Sequence, residues 1–180
     1  MFAWSADGYA ARSVERLDTP RLHLRPFTPA DVDAIHAVYS DPEVMRWVGT
    51  GPLSTRSATE RLLESYGAHQ DALGFAFWAV LENASGELIG DAGLHRTAVG
   101  ETELGYTLAK RAWGRGFATE AAGAWLHAAF ADLTIDEVIA LAEPPNHASA
   151  HVLDKLGFRR DGTRMAFGRE HILFRITRSR

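Results

Sequence analysis

Apolar and polar residues alternate over RLHLRPF (Arg21–Phe27), which predicts a strand. Thr28-Pro29-Ala30-Asp31 then supplies a capping residue, a proline for the first helical position and an acid at the third, the opening of a helix. Ile35, Val38 and Tyr39 continue it at i, i+3 and i+4, and Asp41-Pro42 breaks it. A short helical turn carries Val44, Met45, Trp47 and Val48, and Gly49–Ser54 is a loop. A second helix is predicted from Thr55 to Gln70, with Leu62, Leu63 and Tyr66 on its buried side. GFAFWAVLE (Gly74–Glu82) and ELIGDAGLH (Glu87–His95) read as hairpin strands around a turn at Asn83–Gly86. A polar turn ending at Gly100 leads to a third strand, Glu101–Ala109. A helix over Ala118–Phe130 and an apolar strand over Asp136–Glu143 come next. Asn146 caps a helix that runs to Leu156 and ends at Gly157, and FRRDGTRM and REHILFRITR close the chain as strands. This order predicts a mixed α/β sheet with helices on its faces.

Length and composition narrow the class. The 180 residues favour one domain, taken as 17–180, with 1–16 a loosely ordered lead-in. A chain of this size buries about 70% of its unfolded surface and needs no staple. With no cysteine, disulfides, thiolate zinc sites and a cysteine nucleophile are excluded. A formal net charge of −4 argues against bulk attraction to nucleic acid or acidic membrane. The N-terminus lacks a signal-peptide core, and no apolar run reaches the ~20 residues that span a bilayer. A cytoplasmic protein is the simplest expectation.

The chemistry concentrates in KRAWGRGFATEAA (Lys110–Ala122). A strand that ends in a glycine-rich turn and opens a helix presents unpaired N–H groups at the positive end of the helix dipole, a site for a diphosphate or another anion. Walker's GxxxxGK[ST] is absent, and a dinucleotide GxGxxG would need glycine where Thr119 stands. A packing turn with solvated arginines competes with anion binding on these residues alone.

Arg111-Ala112-Trp113-Gly114-Arg115-Gly116 matches the pattern [QR]xxGxG/A, and NHASAHVLDKLGF follows downstream. With the order of elements, these motifs resemble the GNAT family of acetyl-CoA-dependent N-acetyltransferases over Leu17–Arg178. LGYTLAKRAWGRGFATEA and DPEVMRWV look most like the ribosomal-protein N-terminal acetyltransferase branch. The resemblance implies a twisted, mostly antiparallel sheet of six to seven strands, a splayed parallel pair at the cofactor cleft and four helices. It implies acetyl-CoA as cosubstrate, held by the backbone of residues 111–116 with Phe117 and Ala118, by pantetheine contacts near Leu108, Ala109 and Asn146, and by Arg111 and Arg115 at phosphate. It also allows a homodimer.

Acetyl transfer to an ammonium needs a general base. Glu103 is the first candidate. It shares a strand face with Gly105 and Thr107, and Gly105 leaves room beside it, while Leu104, Tyr106 and Leu108 face the other way. An ordinary charge on a partly wet face is the competing reading. Relatives carry a tyrosine in a YxKxGF-like context where this chain has Leu153, which puts the usual acid in doubt; Ser149, in the first turn after Asn146, is the candidate donor to the thiolate, with an ordinary helix first-turn residue as the competing reading. Trp47 and His95 are candidates for the acceptor pocket, against core packing for the tryptophan and an ordinary hairpin-end position for the histidine. His147 and His151 stand at i, i+4, but without HExxH or a third ligand no metal is expected. The acceptor is an amine: a protein N-terminus, a lysine side chain, or a small amine such as an amino acid, polyamine or aminoglycoside, with the branch resemblance favouring the protein N-terminus. A non-catalytic acyl-CoA sensor and a nucleotide-binding α/β protein are the alternatives; thiol release with amines tests the first, and competition between CoA and nucleotides the second.

Overall fold

The computed structural model describes residues 13–178. Most of the lead-in thus lies outside the described residues; within it, Val14 is buried and its N–H reaches the carbonyl of Gly74 at 3.1 Å. Among the described residues eight strands form one sheet: β1 (Leu17–Asp18), β2 (Leu22–Arg25), β3 (Phe77–Glu82), β4 (Leu88–Arg96), β5 (Thr102–Leu108), β6 (Glu137–Ala142), β7 (Arg159–Ala166) and β8 (Arg169–Thr177). Four helices accompany them: α1 (Val32–Tyr39), α2 (Arg56–Leu73), α3 (Phe117–Ala131) and α4 (His147–Lys155). The sheet order is β1-β2-β3-β4-β5-β6-β8-β7. The two-residue β1 is the strand that periodicity could not supply. It exists through its pairing with β2, Leu17 opposite Leu24.

Two boundaries moved for identifiable reasons. Thr55 caps α2 by accepting the N–H of Ala58, and Gly74, in the left-handed region at φ 79°, stops it. Gly74 is therefore the end of a helix and not the start of β3. The Thr28–Asp31 signal opens a single 3-10 turn, Pro29–Asp31, that leads into α1. Asp31 accepts the Thr28 N–H at 2.7 Å and takes the Arg25 guanidinium on both oxygens.

Strand alternation sets the layers. Trp78 packs edge-on against Trp125 of α3, with centroids 4.7 Å apart. Its neighbour Phe77 points the other way and meets Tyr66 of α2 at 5.2 Å. Ala121, Ala122, Ala128 and Ala129 are all buried where α3 crosses the sheet, so small side chains let the helix lie close. Gly93 of β4 is held the same way. A Cβ there would stand 2.2 Å from the Ala76 carbonyl oxygen and 2.3 Å from the Phe77 Cα, backbone that cannot step aside. Gly93→Ala is therefore expected to lose about 3 kcal/mol or more of stability, read as a lowered urea midpoint.

Every strand pair is antiparallel except β5–β6. That parallel pair registers at one position, Glu103 opposite Ile139, and then diverges. Beyond β6, Pro144 and Pro145 have no N–H to extend a ladder. The sheet is thus split toward the C-terminal ends of β5 and β6. Among the described residues no helix is long and apolar enough to cross a membrane.

Candidate active site

The split opens beside the glycine turn. After β5, a 3-10 turn at Lys110–Ala112 leads to Gly114 (φ 71°) and Gly116 (φ 80°), both left-handed. Gly116 immediately precedes α3. The first i→i−4 bond of the helix runs from Glu120 N–H to Gly116 O at 3.1 Å. The N–H groups of Phe117, Ala118 and Thr119 come before it and have no intrahelical partner. Glu120 does not spoil this positive end, because Thr19 Oγ1 (2.6 Å) and Arg21 Nε (2.7 Å) already bond its carboxylate. Arg21 also donates to the Arg115 carbonyl at 2.9 Å, so it ties the turn to β2.

The two arginines of the motif are engaged elsewhere in the protein. Arg115 pairs with Glu82 at 2.5 Å and lies over the Phe117 ring at 4.4 Å. Arg111 donates to the Leu88 carbonyl at 2.8 Å and sits 3.5 Å from Glu87. Both brace the turn against β3 and β4. Ala109 N–H bonds Ile89 O at 2.8 Å, and Leu108 O accepts the Trp113 indole N–H at 2.7 Å, which leaves that carbonyl a second lone pair.

A cavity of about 1090 Å³ runs from the turn through the split. Leu108, Gly114, Gly116, Phe117 and Ala118 line it at the turn, Asn146 and Ser149 on α4, and Trp47, His95 and Glu103 on the α1–α2 side. Ala109, Arg111 and Arg115 do not line it. The structure therefore brings most of the expected residues to one space and leaves these three as its outer support.

Glu103 is largely shielded from water, and burial pushes its carboxyl up to about 7 against the pull of Arg164, with Glu101 adding to the rise. Arg164 is committed to Glu101 through two hydrogen bonds of 2.6 and 3.0 Å. His95 Nε2 lies 3.9 Å from Glu103 Oε2. Burial lowers the His95 pKa, and its Nδ1 is buried with no partner among the described residues. A carboxyl that changes charge near neutrality, beside an imidazole held neutral, can accept a proton at physiological pH.

Across the split, Tyr106 O–H lies 2.9 Å from Ser149 Oγ and 3.2 Å from the Ser149 carbonyl. Burial pushes the Tyr106 phenol up to about 12 although its hydrogen bond to Ser149 opposes this. Asn146 caps α4 by accepting the Ser149 N–H at 3.1 Å, which fixes the serine. Leu153 is a buried core residue. Deeper on the Glu103 face, Asp91 is fully buried and pushed up to about 7, although the hydroxyls of Tyr39 and Thr107 pull it down. Neither Tyr106 nor Asp91 stood out in the sequence.

The Acetyltransferase (GNAT) domain model matches residues 21–159. The chain belongs to the GNAT acetyltransferase family. The GNAT relatives include the uncharacterized N-acetyltransferase YoaA of Bacillus subtilis, 31% identical over 149 residues that cover 81% of this chain and 84% of that protein. A GNAT acetyltransferase structure from Bacillus anthracis superposes with a TM-score of 0.79 at 25% identity, covering 90% of this chain and 98% of that one. An Agrobacterium tumefaciens acetyltransferase gives 0.80 at 27% identity, covering 97% and 100%. Mycobacterium smegmatis RimJ in complex with CoA-disulfide shares the GNAT fold with a TM-score of 0.75 at 21% identity, covering 87% and 81%.

Proposed function

We propose that this GNAT protein moves acetyl from acetyl-CoA to a primary amine by direct attack in a ternary complex. One observation carries the reading: a single cavity joins the start of α3, where the N–H groups of Phe117, Ala118 and Thr119 have no intrahelical partner, to the Glu103 carboxyl through a split in the sheet. The residues fit the cosubstrate. Backbone donors at the start of α3 suit a diphosphate. Beyond Glu103 the edge of β5 that faces β6 carries no ladder, since β4 pairs the other edge, and this free edge suits the amides of a pantetheine arm, with Asn146 beside it. RimJ, bound to CoA-disulfide, shares this fold and lends support.

Bound acetyl-CoA would supply a thioester carbonyl open to a neutral amine. Glu103 takes the proton that the acceptor ammonium must lose. Ser149 supplies a proton where the thiolate departs, and Tyr106 positions and replenishes it. A thiol is a moderately good leaving group, with a pKa of about 8.5, so this acid is asked for little. Ser149→Ala and Tyr106→Phe are expected to lower kcat by about 10-fold each, with the acetyl-CoA KM little changed. Steady-state rates at saturating amine measure this; a full-rate chemical step in Ser149→Ala removes the serine from the mechanism.

A polypeptide N-terminus is the acceptor that the ribosomal-protein-like motifs favour. A small amine is favoured instead by Arg169. Its guanidinium reaches Glu143 at 2.5 Å, Arg46 O at 3.1 Å and Gly49 O at 2.7 Å, tying β8 to the loop before α2 across the acceptor side. Amine-dependent release of CoA thiol tests the activity. Acetyl-CoA binding without release, across a panel of amines, would assign the protein as a sensor.

A further inference from the structure

We propose that the acetyl acceptor is a primary amine on an apolar, aromatic-sized body, with no carboxylate or phosphate beside the amine and no second ammonium. The proposal rests on the acetyl-transfer reading and narrows it to a substrate class.

Gly93 and Gly105 face each other across β4 and β5 and leave the floor of the acceptor side without side chains. The Phe77 ring fills part of that space: a Cβ on Gly105 would lie 2.9 Å from its edge atoms. Phe77 belongs to an aromatic ladder. Tyr66 lies 5.2 Å from Phe77, and Phe77 lies 5.8 Å from His95, which ends the ladder beside Glu103. Met45, Trp47, Leu53 and Phe167 supply further apolar wall. An amine placed at Glu103 therefore carries its body along ring faces and aliphatic surface, where apolar area gains most.

Charge then removes the other classes. Among the described residues no arginine lines the cavity, and its one lysine, Lys155, ends α4 on the opposite face of the sheet. The nearby guanidinium groups are matched: Arg164 by Glu101, Arg169 by the buried Glu143. Arg46 lies over the Trp47 ring at 4.6 Å and is not a lining residue. Of the lining histidines, His69 and His95 are held below the ordinary histidine pKa by burial, so neither brings a cation at neutral pH; His151 stands on α4 with Lys155, and the buried His171 bonds the Arg169 carbonyl at 3.0 Å. An amino acid or amino-sugar phosphate would bury an anion without a counter-ion. A polyamine or aminoglycoside needs a carboxylate for each added ammonium. Three carboxylates line the cavity: Glu43, paired with Lys110; Glu103; and Asp91, which at about 7 is a weak counter-ion.

The test is a competition among amines with saturating acetyl-CoA, read as CoA thiol release. The panel is phenethylamine, phenylalanine, spermidine and a dipeptide amide beginning with phenylalanine. Phenethylamine or the dipeptide is expected to exceed phenylalanine and spermidine by about 100-fold in kcat/KM, the scale set by an uncompensated buried charge. Whichever of the two leads identifies whether the amine arrives free or on a polypeptide; both support the proposal. Trp47→Ala is expected to narrow the preference for phenethylamine over methylamine by about 10-fold. Equal or better use of phenylalanine or spermidine overturns the proposal, as does the absence of any thiol release in protein that binds acetyl-CoA by calorimetry. Failure to bind acetyl-CoA at all is a different result: it overturns the acetyl-transfer reading, and this proposal with it.

Discussion

Glu103→Gln is expected to lower kcat by about 10²–10⁴-fold, the range supplied by a positioned general base, while acetyl-CoA binds with unchanged affinity. Glutamine keeps the shape and removes the proton acceptor. The pH profile makes the test specific. Burial raises the Glu103 carboxyl to about 7, so the active, ionised form appears as pH rises through 7, and the wild-type rate climbs there. In Glu103→Gln that limb should vanish. Stability moves the opposite way. The unfolded carboxyl loses its proton first, near 4.5, so the folded protein loses stability as pH rises from about 4.5 to 7. Glu103→Gln should therefore melt higher than wild type at pH 8, with the gap closing toward pH 4. A residue that was only a solvated surface charge would show neither effect. Near-normal turnover with the same acidic limb removes Glu103 from the mechanism.

Gly114→Val is expected to weaken acetyl-CoA binding by at least about 10-fold, a loss of roughly 1.4 kcal/mol or more in binding free energy. Gly114 sits at φ 71°, and a Cβ there meets nothing within 4 Å in the protein itself. The added side chain therefore costs backbone strain, and it also enters the space over the turn that the diphosphate needs. Gly100, at φ 86° in the β4–β5 turn and equally open, provides the control for strain. Gly100→Val should lose similar stability and keep its affinity. If both variants bind alike, the turn is a packing feature.

Much of the fold was legible because its signals are local. Asn146 capped its helix, Gly157 ended the same one, and alternation separated Glu103 from Tyr106 correctly. That correct separation also hid Tyr106. Its side chain does face away from Glu103, yet the split between β5 and β6 lets one cavity reach both faces, and strand splay is a property of topology. Arg111 and Arg115 stood out through their place in the motif, but their partners Glu87 and Glu82 come from a hairpin distant in sequence. Arg21 was invisible for the same reason: its partners Glu120 and the Arg115 carbonyl stand 99 and 94 residues further along the chain. Asp91 had one readable signal, a lone acid inside the apolar run LIGDAGL. The eighth strand, β1, carries too few residues for any period and follows from pairing alone.

The central claim is that the backbone of the glycine turn grips a diphosphate and aims the attached thioester through the split toward Glu103. A crystal structure with bound CoA measures this directly. The expected result is a diphosphate within hydrogen-bond reach of the N–H groups between Gly114 and Thr119, with the sulfur between β5 and β6, near Ser149 on one side and open to Glu103 on the other. Diphosphate bound away from this turn, or a sulfur directed out of the split, would contradict it.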